Sequence, residues 1–270
     1  VAGSSAVFTL AGGVDVNRVT AKAPAAMHVA LGEGVLPSTR GSRGVAVERL
    51  RELLFDAQQY ARTKSAYNRN QSRTLAASRL DLEALQPVLR GQLPLWVNVA
   101  RAADILVLLR LAREFSIRVA VVGGAEAWRV GKELAAANVP VVLDPSENLP
   151  SSFDQIYVRD DGPALLARAG VKLAVSPLGN FPSPHRLRQA AGLAVAHGLS
   201  WEHGLAAITE VPAEILGLKG RGTLRAGSVA DLVVWSGDPL ELSSKVEHVF
   251  IDGQEQSLKN RQTQLFDRYR

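Results

Sequence analysis

From Leu93 onward the chain repeats one unit, an apolar run of about five residues followed by an amphipathic helical pattern. LPLWV (93–97) precedes a helix over Ala103–Phe115, and RVAVV (118–122) precedes one over Glu126–Ala137. VPVVL (139–143) leads through a long loop to Pro163–Ala169, and VKLAV (171–175) to a helix from Pro184 to His197. Strands that are apolar at nearly every position are buried on both faces, and their alternation with amphipathic helices specifies a parallel sheet covered by helices. The strands recur at intervals of roughly 22 to 32 residues, which fits (β/α) units, and the closed barrel is the fold such units most often build.

Upstream of Leu93 the pattern is less regular. Ala6–Leu10 and Ala26–Leu31 read as short buried strands stopped by glycine, and residues 35–44 as a loop carrying two arginines. Val47, Leu50, Leu53, Leu54, Ala57 and Tyr60 share one face of a helix that runs to about Arg62. Residues 63–74 are polar and read as an exposed excursion, and Asp81–Leu89 as a second short helix. Six strands are thus expected before residue 176, where a closed barrel needs eight. Residue 1 is Val and the single Met is Met27, so an upstream segment or companion chain of roughly 100 to 170 residues is expected to supply the first strands.

Downstream, Ser200 reads as the N-cap of a helix over Trp201–Leu216, with Glu202 in its first turn and Gly217 as its stop. Then come a glycine-punctuated turn, a strand at Ala230–Trp235, a Gly-Asp-Pro turn and a strand at Val246–Ile251 closed by Asp252-Gly253. The expected division is a partial (β/α) barrel over 1–218, β-sandwich strands over 219–257 and a polar tail over 258–270.

The segments GLSWEHGLAAIT (198–209), PAEILG (212–217), GTLRAG (222–227) and ADLVVW (230–235), in this order and spacing, resemble the C-terminal end of metal-dependent amidohydrolases of the imidazolonepropionase-like kind. The resemblance implies an α/β fold: a TIM-like (β/α)8 barrel, lacking its first strands in this chain, with C-terminal strands of a small β-sandwich. It also implies hydrolysis of C–N bonds in amides, cyclic amides or peptide-like small molecules, and a homo-oligomer. In that family one or two divalent metals are held at the barrel mouth by a His-x-His pair after the first strand, a Lys or Glu after a middle strand, single histidines after the fifth and sixth strands, and an Asp after the eighth. The metal turns water into hydroxide near neutral pH.

Set against that pattern, Asn98 stands where the fifth-strand His is expected, Gly123-Gly124 where the sixth is, and the run Ser176–Asn180 contains no Asp. Glu33 alone keeps an oxygen ligand at a strand end. The resemblance therefore implies at most one divalent metal, zinc foremost, held mainly by residues upstream with Glu33 assisting. The other reading is a metal-free, inactive relative that serves as a binding or assembly subunit.

Asn98, Arg101, Asp104, Glu126, Asp144, Ser146, Glu147 and Asn180 all follow barrel strands on the face where such barrels place their sites. His185, after the last strand, joins them as a mouth candidate. The plainer readings are an Arg101–Asp104 ion pair at i,i+3 spacing and Glu126 capping the helix that follows it. His28 reads as a packed strand residue, His197 and His203 as helix-flanking, and His248 as part of the sandwich.

Composition removes other classes. With no Cys there is no disulfide, thiolate metal site or Cys nucleophile. The +5 net charge comes from scattered Arg with no aromatic interleaving, so no nucleic-acid partner is expected. No apolar run of membrane-spanning length and no signal-peptide order is present, which leaves exported (periplasmic) and cytoplasmic locations both open.

Overall fold

The computed structural model describes residues 2–10, 15–178 and 184–270. Strands β1 (Gly3–Phe8), β2 (Thr20–Ala30), β3 (Leu95–Val99), β4 (Val119–Gly123), β5 (Val141–Leu143) and β6 (Leu173–Val175) form one sheet in the order β1-β2-β3-β4-β5-β6. From β2 to β6 every neighbour is parallel and next in sequence. The sheet curls as part of a TIM-like barrel. Its helices are α1 (Val16–Val19), α2 (Arg43–Asn68), α3 (Arg79–Ala84), α4 (Gln86–Leu89), α5 (Ala102–Phe115), α6 (Gly131–Ala136), α7 (Gly162–Arg168) and α8 (Leu187–Ala196).

Beyond α8 lie α9 (Trp201–Ala206), α10 (Glu210–Leu216) and α11 (Arg261–Tyr269). A second, antiparallel sheet has the order β7 (Leu232–Trp235), β8 (Val246–Ile251), β9 (Gln254–Glu255). No helix among the described residues is long and apolar enough to cross a membrane.

One strand departs from the expected parallel pattern. β1 pairs antiparallel with β2, matching Ser4 to Met27 and Ser5 to Ala26. The eleven residues between Phe8 and Thr20 lie at the short limit of a parallel crossover, which favours the chain turning back on itself.

The pleat decides what each strand residue does. Met27, Val29, Leu95, Val97, Val99, Val119, Val121, Val141, Leu143 and Leu173 all point to the helical side. There they join Leu54 and Tyr60 of α2, Ile105 and Leu108 of α5, Leu134 of α6 and Leu166 of α7 in one core. The alternate positions, His28, Ala30, Trp96, Asn98, Ala120 and Val122 among them, belong to the opposite, inner face and lie outside that core.

Helix α2 runs six residues beyond its expected end at Arg62, bending at Thr63 (φ −118°, ψ 22°). The Thr63 hydroxyl donates to the Gln59 carbonyl at 2.9 Å, a back-bond that bends helices without ending them. The polar stretch after it is tied down by Asp56, which is fully buried and accepts from the Ala76 N–H at 2.7 Å and from the Arg73 guanidinium. The expected excursion is therefore anchored to the core by one carboxylate.

The expected helix over Trp201–Leu216 is broken into α9 and α10. The Ala207 carbonyl at the break accepts the Val175 N–H of β6 at 2.9 Å, so it serves the sheet instead of the helix. Ser200 caps α9 by accepting from the His203 N–H, and Gly217 closes α10 with φ +67°, both as the sequence indicates. The presumed polar tail contains α11, opened by a capping box in which Asn260 and Thr263 exchange side-chain bonds.

The second sheet is locked to the barrel by close backbone approaches. A methyl group at Gly222 (φ +81°) would sit 2.4 Å from the Thr209 carbonyl oxygen, and one at Gly192 would sit 2.7 Å from the Leu240 carbonyl oxygen. Arg188 of α8 donates to the Glu241 carbonyl at 2.7 Å and stacks over Trp235.

Two stability predictions follow from these anchors. Asp56→Ala leaves the Ala76 N–H without its acceptor and a small void, which costs about 2–3 kcal/mol in urea unfolding; a loss under about 0.5 kcal/mol, typical of a surface change, contradicts the anchor. Gly220 has a similar φ (+69°) but open space around it, whereas Gly222 is in backbone contact. Gly220→Ala is expected to cost about 1–2 kcal/mol from backbone strain alone, and Gly222→Ala clearly more; equal melting temperatures for the two variants would remove the packing argument.

Candidate active site at the barrel mouth

The C-terminal ends of β3, β4, β5 and β6 surround a cavity of about 300 Å³. Its lining includes Asn98, Gly123, Gly124, Asp144, Glu147, Asn148, Gln155, Arg159 and Leu178. Parallel strands all deliver their C-termini to one end, so loops distant in sequence converge there.

Asp144 is the first residue past β5. Its Oδ1 accepts from the Ser146 N–H at 2.9 Å and the Ser146 hydroxyl at 2.6 Å, and its Oδ2 accepts from the Leu178 N–H at 3.1 Å. It thus shapes its own turn and ties the loop after β5 to the loop after β6. Glu147 lies three residues on, largely exposed at the cavity wall; its N–H donates to the Asp144 carbonyl at 3.1 Å, and its carboxylate has no hydrogen-bond or ion-pair partner among the described residues. Partial burial, and then the nearby charge of Asp144, push its carboxyl above the ordinary range.

Asn98 sits inside β3, opposite Val122 in register, and its side chain is also unengaged among the described residues. A Cβ on Gly123 would lie 3.7 Å from Asn98 Oδ1, in ordinary contact, so the Asn98 amide faces this strand end. Gly123 and Gly124 both have positive φ (+90° and +57°), and a Cβ on Gly124 would meet Val121, Ala127 and Val141 at 3.0–3.2 Å. This strand end is a tight turn by construction, which no side chain shares.

Other candidates are engaged elsewhere. Glu126 is buried and accepts from the Ala102 N–H at 3.0 Å, so it caps the preceding helix α5 and not the one that follows it. Arg101 is exposed at the start of α5. The expected Arg101–Asp104 pair is replaced by Arg43, which reaches Asp104 at 3.1 Å. His185 is exposed in the turn before α8 and does not line the cavity. Asn180 lies outside the described residues.

One feature of the mouth has no signal in the sequence. Asp154, buried in the turn Phe153–Gln155, binds the Arg43 guanidinium through both oxygens and accepts the Glu33 N–H at 2.8 Å. Together with Arg43–Asp104 this joins the loop after β2, helix α5 and the loop after β5. Burial raises the pKa of Asp104 against the opposing pull of Arg43. The partners lie 61 and 111 residues apart in sequence, so only the folded chain reveals them.

A divalent metal needs several convergent N or O donors with one open position. Among the described residues no group of three or more His, Asp or Glu could hold one. Glu33 has its side chain exposed, and its role in the mouth runs through its backbone N–H. The donors described here do not by themselves fit a metal.

Comparisons with known proteins agree with this architecture. A family model described as the amidohydrolase family matches residues 163–255. The crystal structure of an amidohydrolase from Thermotoga maritima MSB8 superposes with a TM-score of 0.82 at 30% identity, covering 94% of this chain and 67% of that one. Amidohydrolase tasK of Hapsidospora irregularis is 28% identical over 187 residues, which is 64% of this chain and 18% of that protein. The chain therefore spans less than a fifth of the length of that curated relative. The Thermotoga structure is matched at 30% identity over 94% of this chain and two thirds of its own, and the family match falls on the helix-to-sheet segment that carried the resemblance, so this chain belongs to the amidohydrolase superfamily.

Proposed function

We propose that this chain forms the substrate-facing side of a hydrolase acting on C–N bonds of small amides, cyclic amides or peptide-like molecules. The observation that carries the reading is the pair of unengaged polar side chains, Glu147 and Asn98, in one mouth cavity whose other carboxylate, Asp144, is committed to holding the loops. A carboxyl with a raised pKa and no side-chain partner among the described residues, sharing a cavity with an amide donor, suits proton transfer to a departing nitrogen. In hydrolysis the oxygen of water bonds to the carbonyl carbon as the C–N bond breaks. Glu147 gives its proton to the leaving nitrogen and regains one from the attacking water. Asn98 is placed to hydrogen-bond the amide, and Arg159, bidentate to Asp161 at 2.7 and 2.8 Å, fixes the opposite wall.

Divalent metals are used widely in this superfamily, zinc foremost. Since the donors described here do not assemble such a site, no step is routed through a metal, and a bound ion would draw its ligands mainly from beyond this chain. We further propose that strands from a companion segment or chain pair along the outer flanks of β1 and β6, and that the assembled protein is a homo-oligomer. β2 to β6 supply five parallel strands, so three more are needed for the eight of a closed barrel. A second reading, an inactive binding or assembly subunit, is favoured by Asn98 and Gly123-Gly124 standing where imidazoles are expected.

Turnover of a panel of N-acyl amino acids, dipeptides and cyclic amides, with and without chelator and alongside metal analysis, separates these readings. Hydrolysis is expected, and a folded protein that turns over none of the panel supports the inactive reading instead. Glu147→Gln is expected to lower kcat/KM by about 10²- to 10⁴-fold. In the parent protein the rate falls as pH rises through the elevated Glu147 pKa, because the acid form is the one that donates. That alkaline limb should vanish in Glu147→Gln; a limb that persists in the variant assigns the proton to another group.

A further inference from the structure

Among the described residues, two buried polar atoms on the inner face of the sheet lack partners. His28 of β2 and Trp96 of β3 are directly opposite in the parallel register. Their rings meet edge to face, with centroids 5.8 Å apart and planes at 67°. His28 Nε2 and Trp96 Nε1 are both buried, and neither finds a hydrogen-bond partner among the described residues. Leaving a buried donor unpaired costs about 1–3 kcal/mol each, so two in contact on neighbouring strands call for an acceptor.

The surroundings show where that acceptor comes from. The helical core takes Met27, Val29, Leu95 and Val97 but neither His28 nor Trp96, so both rings belong to the face turned toward the barrel axis. Nearby inner-face positions are small, with Ala30 on β2 and Ala120 on β4. Asn98 stands two residues beyond Trp96 on the same face, a rise of about 6.6 Å that places the pair one layer below the mouth cavity. Burial disfavours a charged imidazole, and the neutral tautomer with its proton on Nε2 has that N–H to offer beside the indole. An indole N–H can only donate, so the partner presents an oxygen acceptor.

We propose that His28 and Trp96 form a two-nitrogen binding site on the inner face of the sheet for an acceptor oxygen of the carboxylate or amide-carbonyl class. The oxygen is supplied either by a small molecule entering from the mouth or by a side chain of the strands that close the barrel. The imidazole as a whole is half-buried, and its ring torsion is soft, so an entering oxygen reaches Nε2 with a small rotation.

The test is the indole N–H resonance of Trp96 in the purified protein, identified by its loss in Trp96→Phe. With a small-molecule source, sodium acetate or N-methylacetamide shifts this signal and slows its exchange with water by about tenfold, roughly the effect of one hydrogen bond. With a protein source, the signal is already slow to exchange and neither probe moves it. In either case His28→Phe abolishes the effect, and His28→Gln, which keeps an N–H near the Nε2 position, restores it. An indole N–H that exchanges like an exposed tryptophan and ignores both probes overturns the proposal. So does one whose behaviour is unchanged in a folded His28→Phe variant. The measurement reads no turnover, so its failure leaves the hydrolase reading standing, and an inactive protein leaves this site untouched.

Discussion

The two-residue period of the parallel strands is the constraint on which the rest depends. Because successive side chains point to opposite faces, the sequence of β2 through β6 is two sequences interleaved. One, running through Val29, Val97, Val121 and Val141, is written for packing against helices and is buried. The other, running through His28, Trp96, Asn98 and Val122, faces the axis and supplies the polar groups. A slip of one residue in any strand would exchange the two sets, placing Asn98 in the core and Val97 at the cavity wall. Core and site are therefore specified together.

What the sequence made legible, and what it hid, follows from the range of each interaction. The apolar runs, the Ser200 cap and the Gly217 stop are local: each depends on residues within one turn, and each stands where the pattern puts it. The same locality explains the misplaced ends. Thr63 looks like the start of a polar loop, yet its hydroxyl back-bonds within the helix, and α2 continues to Asn68. The Trp201–Leu216 run looks like a single helix, yet a carbonyl at its centre is claimed by β6, an element 32 residues earlier. Strand pairing is equally non-local. The six strands were countable, but the antiparallel sense of β1 rests on the shortness of its connection to β2.

The site was legible as a list of positions and not as a set of roles. Asn98, Asp144 and Glu147 were placed at the mouth by the ends of their strands, and the fold gathers them in one cavity. Glu126 was also picked out, but its carboxylate turned out to cap α5. Of the Arg43–Asp154–Asp104 network only Asp104 stands out in the sequence, with Arg101 as its expected partner, because the true partners lie in loops and helix starts that look interchangeable on paper. The resemblance to amidohydrolases named the family from structural glycines and caps. Those residues fix how the second sheet docks, and they are indifferent to what occupies the mouth.

That indifference is what allows a barrel of this family to change its chemistry without losing its fold. The docking contacts at Gly192 and Gly222 are backbone against backbone, so any side chain is a loss there. At the mouth the reverse holds. Asp144, Glu126 and Asp154 each satisfy N–H groups that the converging loops would otherwise leave unpaired, and they stabilise the rim whether or not a substrate binds. A carboxylate with such duties is poorly suited to proton transfer, because its hydrogen bonds must break whenever it is protonated. Glu147 and Asn98 have no such duties. Their freedom is permitted by the others, since the rim stays closed without them, and it is this division of labour that sets the uncommitted side chains of the mouth apart from its frame.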